Sequence, residues 1–190
     1  MPSETKGYTD LEVAELWDAV VGITGRGLEL SQTFLLDSWT DKLASEHAAH
    51  GFCRRVTTLG RCIHNVFELI PPEKEGLPER DVVTDTEINL QAFLFNVFGA
   101  LDNLAWIVRQ EKGLMKPNGK SLGFDDTGLG PKKLIRSLVS GKLATYLASF
   151  DPWFEYLEQF RHALAHQIPI YVPPISCLRR KRQNIMTLKC

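Results

Sequence analysis

The feature that most constrains the fold is a long apolar segment with helical periodicity in the middle of the chain. It follows a capping-box pattern, Thr84 with Glu87, and its apolar positions recur on every side of a helix. They are Ile88, Leu90, Phe93, Leu94, Val97, Phe98, Leu101, Leu104, Ile107 and Val108. Because such a helix must be enclosed by other elements, we predict that it is the central helix of a helical domain.

Three helices are predicted before this segment. The first starts at a Thr9–Glu12 capping box and ends before Gly22, and the second covers about residues 28–50. Gly51 permits a break, after which residues 52–69 form a third helix that Pro71 ends, because the residue before a proline is disfavoured in the helical conformation.

After the central helix, residues 112–131 lose the helical period and are rich in turn residues, which predicts a long loop. A short helix over about 132–139 follows, and then a helix that Asp151 caps, with Pro152 at its first position, running over 153 to about 166. Residues 168–174 should be extended, with 168–172 as a possible strand. The fold class is therefore all-α, an up-and-down bundle of four to five longer helices plus short ones. Residues 1–174 form a single domain, and 175–190 a solvated basic tail.

Composition restricts the broad class. The chain has 22 Lys and Arg against 23 Asp and Glu, a formal net charge of −1. The overall charge therefore does not indicate a protein that coats nucleic acid. The N-terminal residues do not resemble a secretory signal, and residues 93–108 contain Asn96, Asp102 and Asn103, which argues against a membrane span. The four cysteines are spaced as ordinary reduced thiols. We expect a cytoplasmic protein without a membrane association.

Positive charge is nevertheless concentrated locally. Between positions 109 and 142, eight Lys and Arg residues stand against three carboxylates, a balance of +5. Within this stretch we single out Lys132, Lys133 and Arg136 as candidate RNA-binding residues, since clustered cations can follow a phosphate backbone. A solvated charged surface is the alternative interpretation.

The strongest candidate catalytic residues lie at the end of the last predicted helix. Arg161, His162 and His166 lie close together there, and a guanidinium with imidazoles suits phosphodiester chemistry, because arginine binds phosphate and histidine transfers protons near neutral pH. Three other interpretations remain: the histidines cap the helix, Arg161 pairs with Glu155 or Glu158, or His162 and His166 form half of a metal site.

The pattern Arg161-His162-x-x-x-His166 resembles the Arg-polar-x-x-x-His motif of HEPN domains, and the resemblance extends over about residues 84–172. It implies a homodimer that cleaves RNA without a metal or another cofactor, with Arg161 stabilising the phosphate, His166 acting as acid or base, and His162 orienting them. Asp102, a carboxylate on the apolar central helix, is a further candidate orienting residue. Its alternative role is to face solvent or a neighbouring helix end.

The same resemblance also implies partners. Family members include toxins that an antitoxin neutralises and proteins paired with a nucleotidyltransferase, so toxin or defence systems are the expected setting. They also include inactive scaffolds, so a non-catalytic module that binds a partner protein or a nucleotide is the alternative function.

Two further motifs are not expected to carry function. Gly128-Leu-Gly-Pro-Lys-Lys133 lacks both the preceding strand and the ending of a phosphate loop. The Glu46-His47-x-x-His50 segment lacks the spacing of a carboxylate-bridged metal bundle.

Overall fold

The structure, a computed structural model, describes residues 8–172. In this part of the chain it contains helices and loops and no β-strand, which confirms the all-α prediction. The α-helices are α1 (Asp10–Leu36), α2 (Lys42–Glu46), α3 (Arg54–Leu69), α4 (Arg80–Glu111), α5 (Leu134–Leu138), α6 (Gly141–Ala148) and α7 (Asp151–His166). A π-helical segment, His47–Cys53, joins α2 to α3. The predicted tail, with Cys177 and Cys190, lies outside the described residues.

Helix α1 begins as predicted but does not end at Gly22. The Thr9 and Glu12 side chains form the reciprocal capping box, with 2.7 Å from the Thr9 amide to Glu12 Oε2. The helix then continues through Gly22 to Leu36, which corrects the predicted boundary. A helical glycine costs only about 1 kcal/mol relative to alanine, and packing against α3 offsets it. The chain breaks instead at residues 37–41, where Asp41 caps α2.

The predicted break at Gly51 is also wrong. Helices α2 and α3 form one continuous rod with the π-helical segment between them, and Gly51 lies inside that segment. A Cβ atom at Gly51 would lie 1.8 Å from Oδ1 of Asn103 on α4. Gly51 therefore serves a close approach of two helices, and its small size, not its flexibility, is what the fold uses.

Helix α4 is the element on which both hydrophobic clusters converge. It starts at Arg80, four residues before the predicted cap, because Thr84 bonds back to the Arg80 carbonyl inside the helix and does not cap it. Ala100 and Ile107 pack into one cluster with α2 and the π-helical segment, and Ala105 packs into another with the C-terminal helices. Ile88 and Phe95 are exposed, however, so α4 is not enclosed on every side.

By length and composition alone, α4 could also cross a membrane, and it is the only such helix among residues 8–172. In this fold it packs against α2, α3, the π-helical segment and α7.

The loop after α4 is ordered by its own hydrogen bonds, and it leads into the three C-terminal helices. Met115 and Ser121 form an isolated antiparallel bridge within it. Helix α7 ends at His166 as predicted and has Pro152 in its first turn, but Asp151, the predicted cap, is its first helical residue, and Phe150 is the N-cap. Beyond α7, residues 168–172 form no strand; the Val172 amide donates to Glu87 on α4 and so ties this segment to the central helix.

Candidate functional site

A cleft lies between α4, α7 and the end of the long loop. Its walls are Phe98, Leu101, Asp102, Gly128, Leu129, Gly130, Pro131, Lys132, Lys133, Phe154, Leu157, Glu158 and Arg161. About 70 Å³ of free space at its centre would hold several water molecules. The fold therefore brings Arg161, Asp102, Lys132 and Lys133 together, although they are distant in sequence.

Arg161 lies on the inner flank of α7, which we define as Phe154, Leu157 and Arg161, the residues that face α4 and the cleft. Its guanidinium carbon lies 5.8 Å from the ring centroid of Phe98, a cation–π geometry. The residue is nevertheless exposed. In the part of the chain that the structure describes, no hydrogen bond or ion pair holds the guanidinium, so the neighbouring glutamates do not occupy it.

Asp102 is the carboxylate of this cleft. Burial raises its pKa above the ordinary value of 3.8, although the positive charges of Arg161, Lys133 and Arg55 act in the opposite direction. It therefore lies near Arg161, as an orienting residue would, whereas neither His162 nor His166 lines the same cleft.

Lys132 and Lys133 stand at the mouth of the cleft, on the glycine-containing loop that the sequence did not favour as a phosphate site. Lys133 packs its aliphatic stem so closely over Gly128 that a Cβ there would lie 2.8 Å from Lys133 Cγ. Its ammonium group donates to the Asp125 carbonyl at 3.2 Å, which directs it along the loop. Lys132 is exposed.

Arg136, the third candidate RNA contact, is engaged inside the chain. Its guanidinium bonds to Asp151 at 2.7 Å and to the Leu129 carbonyl at 3.0 Å, and only 10 % of the side chain is exposed. It therefore ties α5 to the first turn of α7 and does not reach an incoming phosphate.

The two histidines lie on the outer flank of α7, which we define as Glu155, Gln159, His162 and His166. Both imidazoles are exposed, and their ring centroids are 5.3 Å apart. His162 lines a wider, more open groove together with Glu155, Glu158, Gln159, Gln167 and Lys132. On an ideal helix His162 and His166 project about 100° and 140° away from Arg161, which explains why neither imidazole lines the cleft that contains the guanidinium.

No cluster of three or more His, Cys, Asp or Glu side chains with metal-binding geometry occurs among residues 8–172. The pair His162 and His166 thus has no third ligand from the described chain. Cys53 and Cys62 are buried, and burial raises the pKa of both thiols.

An aromatic cluster that the sequence analysis did not identify lies on α4, on the loop that follows it and on the π-helical segment. His47 stacks on Trp106 with ring centroids 5.4 Å apart, Arg109 lies 4.4 Å from the Trp106 ring centroid, and Phe124 meets the edge of Trp106 at 5.2 Å. These residues come from three separate segments. The only local signal was the spacing of Trp106, one helical turn after Asp102 on α4.

Comparison of the chain with protein-family models, curated proteins and solved structures finds no match. The assignment of a function therefore depends on the residues and the geometry described above.

Proposed function

We propose that the chain is a HEPN-like endoribonuclease, an up-and-down helical homodimer that cleaves RNA without a metal ion. The observation that carries the proposal is the exposure of Arg161, His162 and His166 at one end of α7, beside a cleft whose mouth presents Lys132 and Lys133. Exposed guanidinium, ammonium and imidazole groups are the functions that bind a phosphodiester and move protons around it.

The reaction needs one proton removed and one supplied. His166 takes the proton of the ribose 2′-hydroxyl, whose oxygen then attacks the neighbouring phosphorus. The bond from phosphorus to the 5′-oxygen breaks, and that oxygen receives a proton from a second imidazole. Arg161 stabilises the charge that builds on the phosphate oxygens, and His162 orients the pair. The products are a 2′,3′-cyclic phosphate and a 5′-hydroxyl.

A second copy of the chain supplies what one protomer lacks, since the cleft that contains Arg161 is lined by neither His162 nor His166. Helices α6 and α7 carry an exposed aromatic face that suits such a contact. Its members are Tyr146 (62 % exposed), Phe150 (39 %), Trp153 (43 %) and Tyr156 (59 %). Because this face includes Trp153 and Tyr156 on the helix that carries the Arg and His residues, pairing through it would place the α7 helices of two protomers side by side.

Cleavage of single-stranded RNA in the presence of a chelator tests the chemistry. We expect Arg161→Ala and His166→Ala each to lower the rate by about 100-fold or more, the range typical for loss of a phosphate-stabilising or proton-transferring group. Matched controls are Arg54→Ala and His50→Ala, which remove an exposed guanidinium and imidazole elsewhere and should leave the rate unchanged. Equal rates in all five proteins would refute the proposal.

Sedimentation tests the dimer. The wild type should sediment at twice 21.5 kDa, and Trp153→Glu with Tyr156→Glu should give a monomer that no longer cleaves RNA. Leu36→Glu is the control, because Leu36 is 83 % exposed but lies on α1. A double variant that stays dimeric would show that another surface pairs the protomers.

The alternative is a non-catalytic HEPN-like scaffold that binds a protein partner or a nucleotide. The separation of Arg161 from the histidines in one protomer, and the Asp102 charge beside Arg161, favour it. Binding of RNA or of a nucleotide without cleavage by the wild type would support this function.

The biological setting follows from the resemblance alone. We propose a cytoplasmic toxin or defence protein whose partner is an antitoxin or a nucleotidyltransferase.

A further inference from the structure

The aromatic cluster around Trp106 contains one ring that the fold does not bury. Phe124 is 83 % exposed, and it touches the cluster through an edge contact with Trp106. Both Trp106 and His47, in contrast, are half-buried and stacked on each other, with interplanar angle 12°. Phe124 therefore adds little to the core, and its ring is presented to solvent on a stacked aromatic base.

The turn that carries Phe124 is held by a network of short contacts. The Gly123 amide donates to Asp126 Oδ2 at 2.8 Å, and the Thr127 hydroxyl donates to the Gly123 carbonyl at 2.8 Å. Lys116 forms an ion pair with Asp126 at 2.7 Å. These contacts fix the backbone on both sides of the ring, so an incoming planar group would meet a preorganised surface.

Two short stretches of chain connect the Phe124–Trp106 contact to the Arg161 cleft. Trp106 is one turn after Asp102 on α4, a rise of about 6 Å. Phe124 precedes Gly128, the first loop residue of the cleft wall, by four residues, a span of at most about 14 Å of chain. A ligand that contacts the Lys132 and Lys133 side of the cleft can therefore also reach Phe124.

The charges around this surface favour a polyanion. Lys112 and Lys120 are exposed on the same loop, and Arg109 lies over Trp106 while donating to Ser121 at 2.6 Å. One exposed carboxylate, Asp125, follows the ring directly in sequence, against the positive charges of Lys112, Lys120 and Arg109. Proteins bind single-stranded nucleic acid through exposed aromatic rings with positive charges nearby, because unpaired bases are free to stack on such rings.

We propose that Phe124 is a stacking platform for an unpaired base of RNA, next to the phosphate that Lys132, Lys133 and Arg161 bind. The substrate class is thus single-stranded RNA, and the platform extends the site along α4 towards Trp106. This inference rests on the proposed RNA-directed function, but it concerns binding and not the chemical step.

Binding of a short single-stranded RNA, made uncleavable by 2′-O-methyl groups, separates the platform from catalysis. In fluorescence anisotropy we expect Phe124→Leu to weaken binding about 10-fold and Phe124→Tyr to keep it, because stacking needs an aromatic face. The control is Phe95→Leu, which removes another exposed phenylalanine, 52 % exposed on α4, and should have no effect. Binding of a fully paired duplex should not respond to Phe124→Leu.

Each outcome decides one question. Equal binding by the wild type and Phe124→Leu, or absence of RNA binding by the wild type, would overturn the platform. If Phe124→Leu loses binding, but the wild type does not cleave RNA or Arg161→Ala cleaves it equally well, the platform is retained and the proposed catalysis is rejected. If Phe124→Leu weakens the binding of single-stranded and duplex RNA equally, or weakens only the binding of a peptide partner, the result would also count against base stacking.

Discussion

The two flanks of α7 differ in what they contribute to the protein. On the inner flank, Phe154 and Leu157 are buried, Phe154 within the C-terminal cluster, and Arg161 extends the same row to the exposed end of the helix. On the outer flank, His162 and His166 contact each other and solvent. One helix thus anchors itself through one side and presents titratable groups on the other. Arg161 lies on the inner flank, but its guanidinium stays accessible because the residue is exposed.

Truncation of one residue on each side of this helix gives the largest expected contrast. Phe154→Ala should lower the free energy of unfolding by about 3–5 kcal/mol, since it leaves a cavity among Ile135, Val139 and Leu147. Tyr156→Ala, at an exposed position, should change it by only about 0.5 kcal/mol in the monomer. Urea denaturation measures both. Similar losses in the two variants would remove the distinction between a buried and an exposed side.

An intermediate effect on the free energy of unfolding is expected at the first turn of α7, where Arg136 pairs with Asp151. Arg136→Leu should cost about 1–3 kcal/mol, because it leaves Asp151 and the Leu129 carbonyl without their guanidinium partner. Lys132→Leu should leave stability unchanged but weaken RNA binding, because Lys132 is exposed at the cleft. Denaturation and anisotropy on both variants should therefore give opposite results. An Arg136→Leu protein that is stable but binds RNA poorly would place Arg136 in the site.

The smallest effect concerns the pH dependence of stability at Asp102. Because its folded pKa is raised above 3.8, its contribution is complete below the unfolded value and is lost as the pH rises through the folded pKa. Asp102→Asn removes this loss, so the variant should gain stability relative to the wild type as the pH increases from acid. Urea unfolding across pH values measures the difference. A difference that is constant with pH would show that Asp102 is not desolvated.

The start of α7 and the motif near its C-terminus could be predicted because their signals are local. Pro152 in the first turn suits a helix start, and the Arg161, His162 and His166 spacing could be read directly from the sequence. Their exposure, and the placement of Arg161 and His162 in different grooves, needed the packing of α7 on α4. The sequence spacing indicated the angular separation, but it did not show which flank faces inward.

The boundaries at Gly22, Gly51 and Thr84 were predicted wrongly for a common reason. Each is a local signal for a helix break or start, and each is overridden by interactions with a neighbouring element or by continuation of the same helix. Asn103 approaches Gly51 from more than fifty residues away in sequence. No local rule contains that contact.

Apolar periodicity and the composition of the loops were sufficient for the helical class, the long central helix and the Arg–His motif, because these depend on residues within a few turns of each other. The predicted helix over 28–50 does not exist as one element, since residues 28–36 belong to α1 and residues 42–50 to the rod that continues into α3. The neighbours of Asp102, the pairing of Arg136 with Asp151 and the contact of Phe124 with Trp106 depend on how separate segments pack. Such contacts are set by the shape and burial of the whole domain, and distance along the chain carries no information about them.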